Sequence, residues 1–294
     1  MKAELVFDAQ AQLGEGALWH ADTHQLYWVD IEGRKLHLYT PGTNENRTIE
    51  VGERIGTVVP SISGKAIVAL QNGIFELDLS DESLTLVTNP LEDTTDMRFN
   101  DGKCDPAGRF WVGSMHLSAQ KANAALYRMD PDLEVTRMLD NVTISNGITW
   151  SLDGQTMYYI DTPTGVVRAF DFHVADGTFE RPRVAVEIPE DTGHPDGMTI
   201  DEEGMLWVAH WGGGSVGRWN PENGKLIDRI DLPASKVTSC AFGGDNLDTL
   251  YITTARKDLD EQELNRYPHS GGLFAAKPNV SGITACAFGV ATEL

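Results

Sequence analysis

The fold can be predicted from residues 193–214, which read Gly-His-Pro-Asp-Gly-Met-Thr-Ile-Asp-Glu-Glu-Gly-Met-Leu-Trp-Val-Ala-His-Trp-Gly-Gly-Gly. A short apolar run at Met198 and Ile200 is followed by an acidic turn closed by Gly204, and then by a second apolar run, Leu206–His210. Runs of β-prone residues separated by turn residues predict a β-hairpin. Asp196 stands directly before a glycine at the start of the first strand, so the stretch also places a polar group.

The same pattern recurs along the chain at nearly constant spacing. Six anchor positions are separated by steps of 43, 43, 45, 50 and 43 residues, namely Glu15, Val58, Asp101, Asn146, Asp196 and Ser239. Repeats of this length, each with three or four short strands and glycine turns, are typical of propeller blades. Because helical periodicity is almost absent, we predict an all-β fold, a six-bladed β-propeller formed by residues 1–294 as a single domain.

Two further segments are predicted to complete the ring. The N-terminal run Glu4–Phe7 is expected to join the last blade, which would cover an open sheet edge. Residues Thr284–Gly289 echo Thr238–Gly243, but too little chain follows them for a seventh blade. We therefore expect a closing strand there.

Composition limits the partners of this chain. Lys and Arg number 23 and Asp and Glu number 44, which gives a net charge of −21 and disfavours nucleic acid and anionic membranes. No window approaches the roughly 20 apolar residues of a membrane span, and no signal peptide is recognisable. Cys104, Cys240 and Cys286 show no Cys-x-x-Cys spacing, so we expect reduced structural thiols and a cytoplasmic protein. A monomer is expected because the blades close on themselves.

The polar anchors are predicted to form a cation site. In a propeller the innermost strands line a central channel, so Glu15, Asn100 or Asp101, Asn146 and Asp196 converge there, whereas blades two and six offer only Val58 or Pro60 and Ser239. Carboxylate and amide oxygens favour a hard divalent cation, and a catalytic zinc is also possible. Alternatively, Asp and Asn before Gly are ordinary turn formers. That alternative explains neither Glu15 nor the coincidence at one anchor.

The chain resembles the SMP-30/gluconolactonase/luciferin-regenerating-enzyme family in four segments that span most of its length. These segments are Leu13–Trp19, Arg98–Lys103, Ser145–Ile148 and Pro195–Met198. The resemblance implies a six-bladed propeller with one catalytic divalent metal (calcium, zinc, manganese, magnesium or iron). Matched by motif, Glu15, Asn146 and Asp196 are the metal ligands, Asn100 contacts the metal shell or the substrate, and Arg98 hydrogen-bonds the substrate. Most family members hydrolyse sugar lactones to aldonic acids, and animal members have been described as calcium-binding regulators.

The sequence departs from the family pattern after Met115. Many relatives place an acidic or small residue there, whereas this chain continues with His116-Leu117-Ser118-Ala119-Gln120-Lys121. His116 either contacts a substrate hydroxyl or faces water as part of a lid. Residues 116–124 and Lys257–His269 are the two inserts in which lids and specificity loops are expected.

The predicted function is metal-dependent hydrolysis of a sugar lactone, with Asp196 as the general base. A serine nucleophile is disfavoured because no Gly-x-Ser-x-Gly motif is present. The alternatives are a calcium-binding regulator of the same fold, a metal-dependent ester or phosphotriester hydrolase, and an interaction propeller. The residues do not identify the sugar.

Overall fold

In the computed structural model, which describes residues 1–289, six four-stranded antiparallel sheets surround one axis. This confirms the prediction of an all-β, six-bladed propeller. In blades one to five the strand order within each sheet follows the chain. Strand β1 is Glu4–Phe7.

Blade one consists of β2 (Gly14–His20), β3 (Gln25–Asp30), β4 (Lys35–Thr40) and β5 (Glu45–Glu50). Blade two consists of β6 (Ile55–Pro60), β7 (Ala66–Leu70), β8 (Gly73–Leu77) and β9 (Leu84–Thr88). Blade three consists of β10 (Met97–Cys104), β11 (Phe110–His116), β12 (Ala124–Met129) and β13 (Val135–Val142). Blade four consists of β14 (Ser145–Trp150), β15 (Thr156–Asp161), β16 (Val166–His173) and β17 (Thr178–Glu187). Blade five consists of β18 (His194–Ile200), β19 (Leu206–Trp211), β20 (Ser215–Trp219) and β21 (Leu226–Asp231). Blade six consists of β22 (Val237–Gly243), β23 (Thr249–Thr254) and β24 (Leu273–Ala276), and β1 completes it.

The ring is closed by the N-terminal strand, as predicted. Strand β1 pairs antiparallel with β24, so the last sheet has the order β1-β24-β23-β22 and contains both an early and a late part of the chain. Strands β2, β6, β10, β14, β18 and β22 contact one another in sequence, and β22 contacts β2. These six strands are therefore the innermost ones.

The predicted closing strand at Thr284–Gly289 is wrong. Residues 281–289, here called the strap, form two isolated bridges, Asp201 with Gly282 and Ser61 with Phe288. Phe288 N donates to Pro60 O at 2.7 Å, so the strap runs from blade five to blade two. The strap lies across the ends of the innermost strands, beside residues such as Cys104, Trp150 and Ile200, and so away from the outer sheet edges that a further strand would extend.

Helix is rare in this fold. Helix α1 (Glu261–Arg266) lies in the sixth-blade insert, and Asp260 caps it by accepting a hydrogen bond from Glu263 N. Two single 3₁₀ turns are Thr162–Thr164 and Glu190–Thr192. Within residues 1–289 no helix is long and apolar enough to cross a membrane.

Blades three and five each contain a buried aspartate whose carboxylate binds two side chains of the same blade. Asp201 Oδ2 accepts hydrogen bonds from Trp207 Nε1 at 2.9 Å and from Arg218 Nε at 2.7 Å. Asp105 makes the same two kinds of contact with Trp111 and Arg109. Both aspartates are fully buried, and a buried charge requires such an ion pair and hydrogen bonds. In each of these two blades, the bonds to the aspartate fix the turn between the first two strands.

Every innermost strand carries a register shift at its anchor residue or directly before it. The shifts lie between Glu15 and Leu18, Ile55 and Thr57, Phe99 and Gly102, Ser145 and Ile148, Pro195 and Met198, and Val237 and Ser239. Bulges re-aim side chains and are common beside active sites. They explain why polar groups from several blades point to one place.

The glycine after each of two anchors allows neighbouring innermost strands to meet closely. A Cβ on Gly197 would lie 2.7 Å from Ser239 Oγ and 2.9 Å from Ser239 Cα, and a Cβ on Gly147 would lie 2.8 Å from Asp196 O. The recurrent polar-residue–glycine pair is therefore a packing requirement at the axis.

We predict that Gly197→Ala lowers the free energy of unfolding by about 2 kcal/mol, because the new methyl group overpacks the contact between β18 and β22. Urea unfolding followed by tryptophan fluorescence measures the change. Gly42→Ala is the matched control, since its Cβ would have no heavy atom of residues 1–289 within 4 Å. Equal stability of the two variants would contradict the packing role.

Candidate active site

A cavity of about 340 Å³ opens at one end of the axis. Its lining comes from blades one, three, four, five and six. The lining residues are Leu13, Glu15, Arg98, Asn100, Met115, Ile144, Asn146, Thr162, Pro163, His194, Asp196, Trp211, Lys257 and Asp258. Another cavity, about 310 Å³, is bordered by the strap and by the opposite ends of the innermost strands.

Five of the predicted site residues line the first cavity together. Glu15, Arg98, Asn100, Asn146 and Asp196 are each 4–5 % exposed although all are polar or charged. They come from four different innermost strands, which the bulges bring to the same height. Burial of so many polar groups is costly unless they bond one another or a ligand.

The bulge in blade three determines which of its two candidate anchors, Asn100 or Asp101, faces the cavity. Asn100 faces the cavity, whereas Asp101 is buried away from it and accepts a hydrogen bond from Gly102 N at 2.7 Å. Val58, Pro60 and Ser239 do not line the cavity, so the second blade contributes no side chain to the lining within residues 1–289.

His116 lies beside the cavity without lining it. Met115, the preceding residue on β11, lines it instead. The His116 Nδ1 atom lies 2.9 Å from Ser118 Oγ and 3.1 Å from Ser118 N within the same loop. The expected contact between His116 and substrate stays a prediction.

A chain of side-chain hydrogen bonds links blades three, four and five. Arg98 Nη1 donates to Asn100 Oδ1 at 2.6 Å, and Asn100 Nδ2 donates to Asn146 Oδ1 at 2.9 Å. Asn146 Nδ2 donates to Thr162 Oγ1 at 2.7 Å, which in turn donates to Pro195 O at 2.8 Å. The chain fixes the amide orientations and holds the Arg98 guanidinium over the cavity floor.

The two carboxyl groups on the axis perturb each other. Burial, reinforced by the charge of Asp101, raises the pKa of Glu15 to about 8. Burial and then the charge of Glu15 raise the pKa of Asp196 well above its usual range. Burial also lowers the pKa of Arg98 to about 10. Without a cation, the acid pair therefore retains a proton at neutral pH.

The donor set fits a hard divalent cation. Asp196 Oδ1 is buried and has no hydrogen-bond partner among residues 1–289. Asn146 Oδ1 accepts one hydrogen bond and has a second lone pair. Carboxylate and amide oxygens of this kind suit Ca²⁺, Mg²⁺ or Mn²⁺. Within the described residues no three His, Cys, Asp or Glu side chains cluster as ligands, so a cation bound here would need an amide oxygen as well.

The cavity walls differ in chemistry. Met115, Ile144, Pro163 and Trp211, from blades three to five, form an apolar wall. Lys257 comes from the start of the sixth-blade insert, which is held in place by the bond from Lys257 N to Gln12 O, 2.8 Å. The sequence marked this insert as a candidate lid, but it could not single out Lys257.

The chain is similar to known proteins over nearly its whole length. The family model described as "SMP-30/Gluconolactonase/LRE-like region" matches residues 13–256. A Bacillus subtilis protein named "Putative sugar lactone lactonase YvrE" is 39% identical over 282 residues, covering 96% of this chain and 97% of that protein. Regucalcin of Xenopus laevis is 38% identical over 294 residues, covering 98% of each chain.

A solved structure gives the same architecture. The crystal structure described as a calcium-binding protein, regucalcin, from Agrobacterium tumefaciens superposes with a TM-score of 0.93 at 26% identity. The match covers 98% of this chain and 97% of that one. The likeness thus includes all six blades.

We predict that the protein stripped with chelator loses stability as pH rises from about 5 to about 8.5. Glu15 has a pKa of about 8 when folded and 4.5 ordinarily, so the folded state binds more protons in this interval and a rise in pH favours unfolding. Melting temperature against pH, with chelator or with CaCl₂, measures the effect. Calcium should stabilise more at about pH 8 than at about pH 5, where protons compete.

Glu15→Gln should flatten the chelated curve, and Glu50→Gln, at a carboxylate 80% exposed, should leave it as in the wild type. A chelated wild-type curve that is flat across this range would contradict the prediction.

Proposed function

The chain belongs to the SMP-30/gluconolactonase/LRE-like family, and from this premise we propose that it is a metal-dependent hydrolase that opens a sugar lactone to the hydroxy acid. The observation that carries the proposal is the meeting of two buried acids, a buried guanidinium and two asparagine amides in one cavity of about 340 Å³. A cavity of this size suits one sugar ring.

Glu15, Asn146 and Asp196 would hold the cation. When bound, it would act as a Lewis acid on the lactone carbonyl and stabilise negative charge on that oxygen. Its positive charge would also compensate the two carboxylates, which are both buried in the cavity lining.

Arg98 and Asn100 orient the substrate in this proposal. Arg98 Nη1 is committed to Asn100 Oδ1 and Phe99 O, so the guanidinium plane is fixed before substrate binds. A fixed donor lowers the cost of holding the lactone in a reactive pose. Asn100 couples that donor to Asn146.

Asp196 moves the proton. The water oxygen bonds to the lactone carbonyl carbon while Asp196 takes a proton from that water. The bond from the carbonyl carbon to the ring oxygen then breaks, and the proton passes from Asp196 to that oxygen. The product is a hydroxy acid, and one proton per turnover reaches solvent when its carboxyl group ionises.

One alternative rests on a specific similarity. Relatives named regucalcin are 38% identical to this chain, and a calcium-binding protein without turnover would use the same oxygen ligands. A metal-dependent esterase or phosphotriesterase is a further alternative on the same site. The Arg98–Asn100 pair favours an enzyme, since a cation site alone has no need of a guanidinium.

We predict that a panel of sugar lactones reveals hydrolysis that requires a divalent metal and is lowered at least 100-fold by Asp196→Asn, because the proton acceptor and the negative charge of a metal ligand are both lost. Acid release at constant pH measures the rate, after chelation and after adding back single metals. Aryl esters and phosphotriesters assayed in parallel separate the alternatives.

Asp245→Asn is the matched control, since that carboxylate is 84% exposed and pairs with His24 away from the cavity. Tight Ca²⁺ binding without turnover of any lactone would overturn the enzyme proposal and favour the calcium-binding alternative.

A further inference from the structure

A band of cations borders one side of the cavity. Lys257 Nζ lies 2.7 Å from Glu32 Oε1, and Arg54 Nε lies 2.7 Å from Glu32 Oε2. Arg98 is close enough for the charges of Glu32 and Arg54 to affect its pKa. Two of these cations, Lys257 and Arg98, line the cavity itself.

A fourth cation supports the outer part of this band. Lys236 Nζ donates to Lys257 O and lies 4.9 Å from the centre of the Trp211 ring. The band thus holds Arg54, Arg98, Lys236 and Lys257 against the acids Glu32, Asp258 and Glu263. Apart from the proposed metal ligands, this band has one positive charge in excess.

This excess contrasts with the rest of the protein. The chain has a net charge of −21, so its average surface repels anions. Salt screens distant charges beyond about 8 Å, and a substrate inside the mouth is therefore governed by the nearby cations. Glu32 pairs with two of these cations, Lys257 and Arg54, and Lys257 is also among the residues that line the cavity.

We propose that the substrate is a lactone that carries a carboxylate at the end remote from the ester, that is, the lactone of a sugar diacid, and that Lys257 recognises this carboxylate. The inference rests on the proposed lactonase function and specifies its substrate class. The sugar ring would lie against Met115, Ile144 and Trp211, and the acidic end would point to the cationic side. Lys257 is thus a specificity residue supplied by the sixth-blade insert.

The test compares matched lactones of equal ring size, gluconolactone with glucarolactone and galactonolactone with galactarolactone. Each pair differs only in a hydroxymethyl group against a carboxylate. The wild type should favour the diacid lactone at least tenfold in kcat/KM. Lys257→Met should reduce that preference about tenfold, mainly through KM, which is the size expected for one charge-assisted hydrogen bond. Lys257→Arg should retain most of it.

Lys277→Met is the control, because Lys277 is 70% exposed and pairs with Asp248 far along the same blade. Equal or faster opening of the neutral lactones by the wild type would overturn this inference and leave the lactonase proposal standing. A preference for diacids that persists in Lys257→Met would overturn the assignment to Lys257. Failure to open any lactone would overturn the proposed function itself.

Discussion

The close approach of six innermost strands around one axis is the constraint on which the rest of the molecule depends. Six strands can meet there only if little side-chain volume separates them, and Gly147 and Gly197 supply that contact. The bulge beside each glycine breaks the pairing with the second strand of the blade and turns the preceding side chain inward. Packing and chemistry are therefore set by the same few residues.

The same arrangement buries two carboxyl groups close together, and the surrounding protein atoms compensate their negative charge only in part. Glu15 and Asp196 are buried together, and Arg98 is the cation that shares their cavity floor. The chain of hydrogen bonds through Asn100 gives Arg98 an acceptor, whereas Asp196 Oδ1 has no hydrogen-bond partner within residues 1–289. In the proposed function a proton or a divalent cation would supply the compensating charge, and the pH would decide between them.

Different parts of the fold supply the buried polar groups of the cavity and the charges at its mouth. The innermost strands supply the acids and amides, and buried ion pairs such as Asp201–Arg218 keep the blades rigid behind them. The sixth-blade insert supplies Lys257, which joins a charge network reaching blade two through Glu32 and Arg54. The chemistry is thus fixed to the scaffold, whereas the charge of the mouth is held by loops that can vary independently.

The sequence by itself determined the six repeats, the all-β class, the closing role of Glu4–Phe7 and the convergence of Glu15, Asn146 and Asp196, because alternation, turn residues and anchor spacing are local properties. Only the tertiary structure decided that residues 281–289 form a strap and that Lys257 borders the site, and it placed Asn100, which the family resemblance had singled out, in the cavity lining and Asp101 outside it. Each of these depends on a bulge or on contacts between individual distant residues, such as Lys257 with Glu32, 225 positions apart. The repeat pattern predicts how blades are built and closed, but it does not specify such individual contacts.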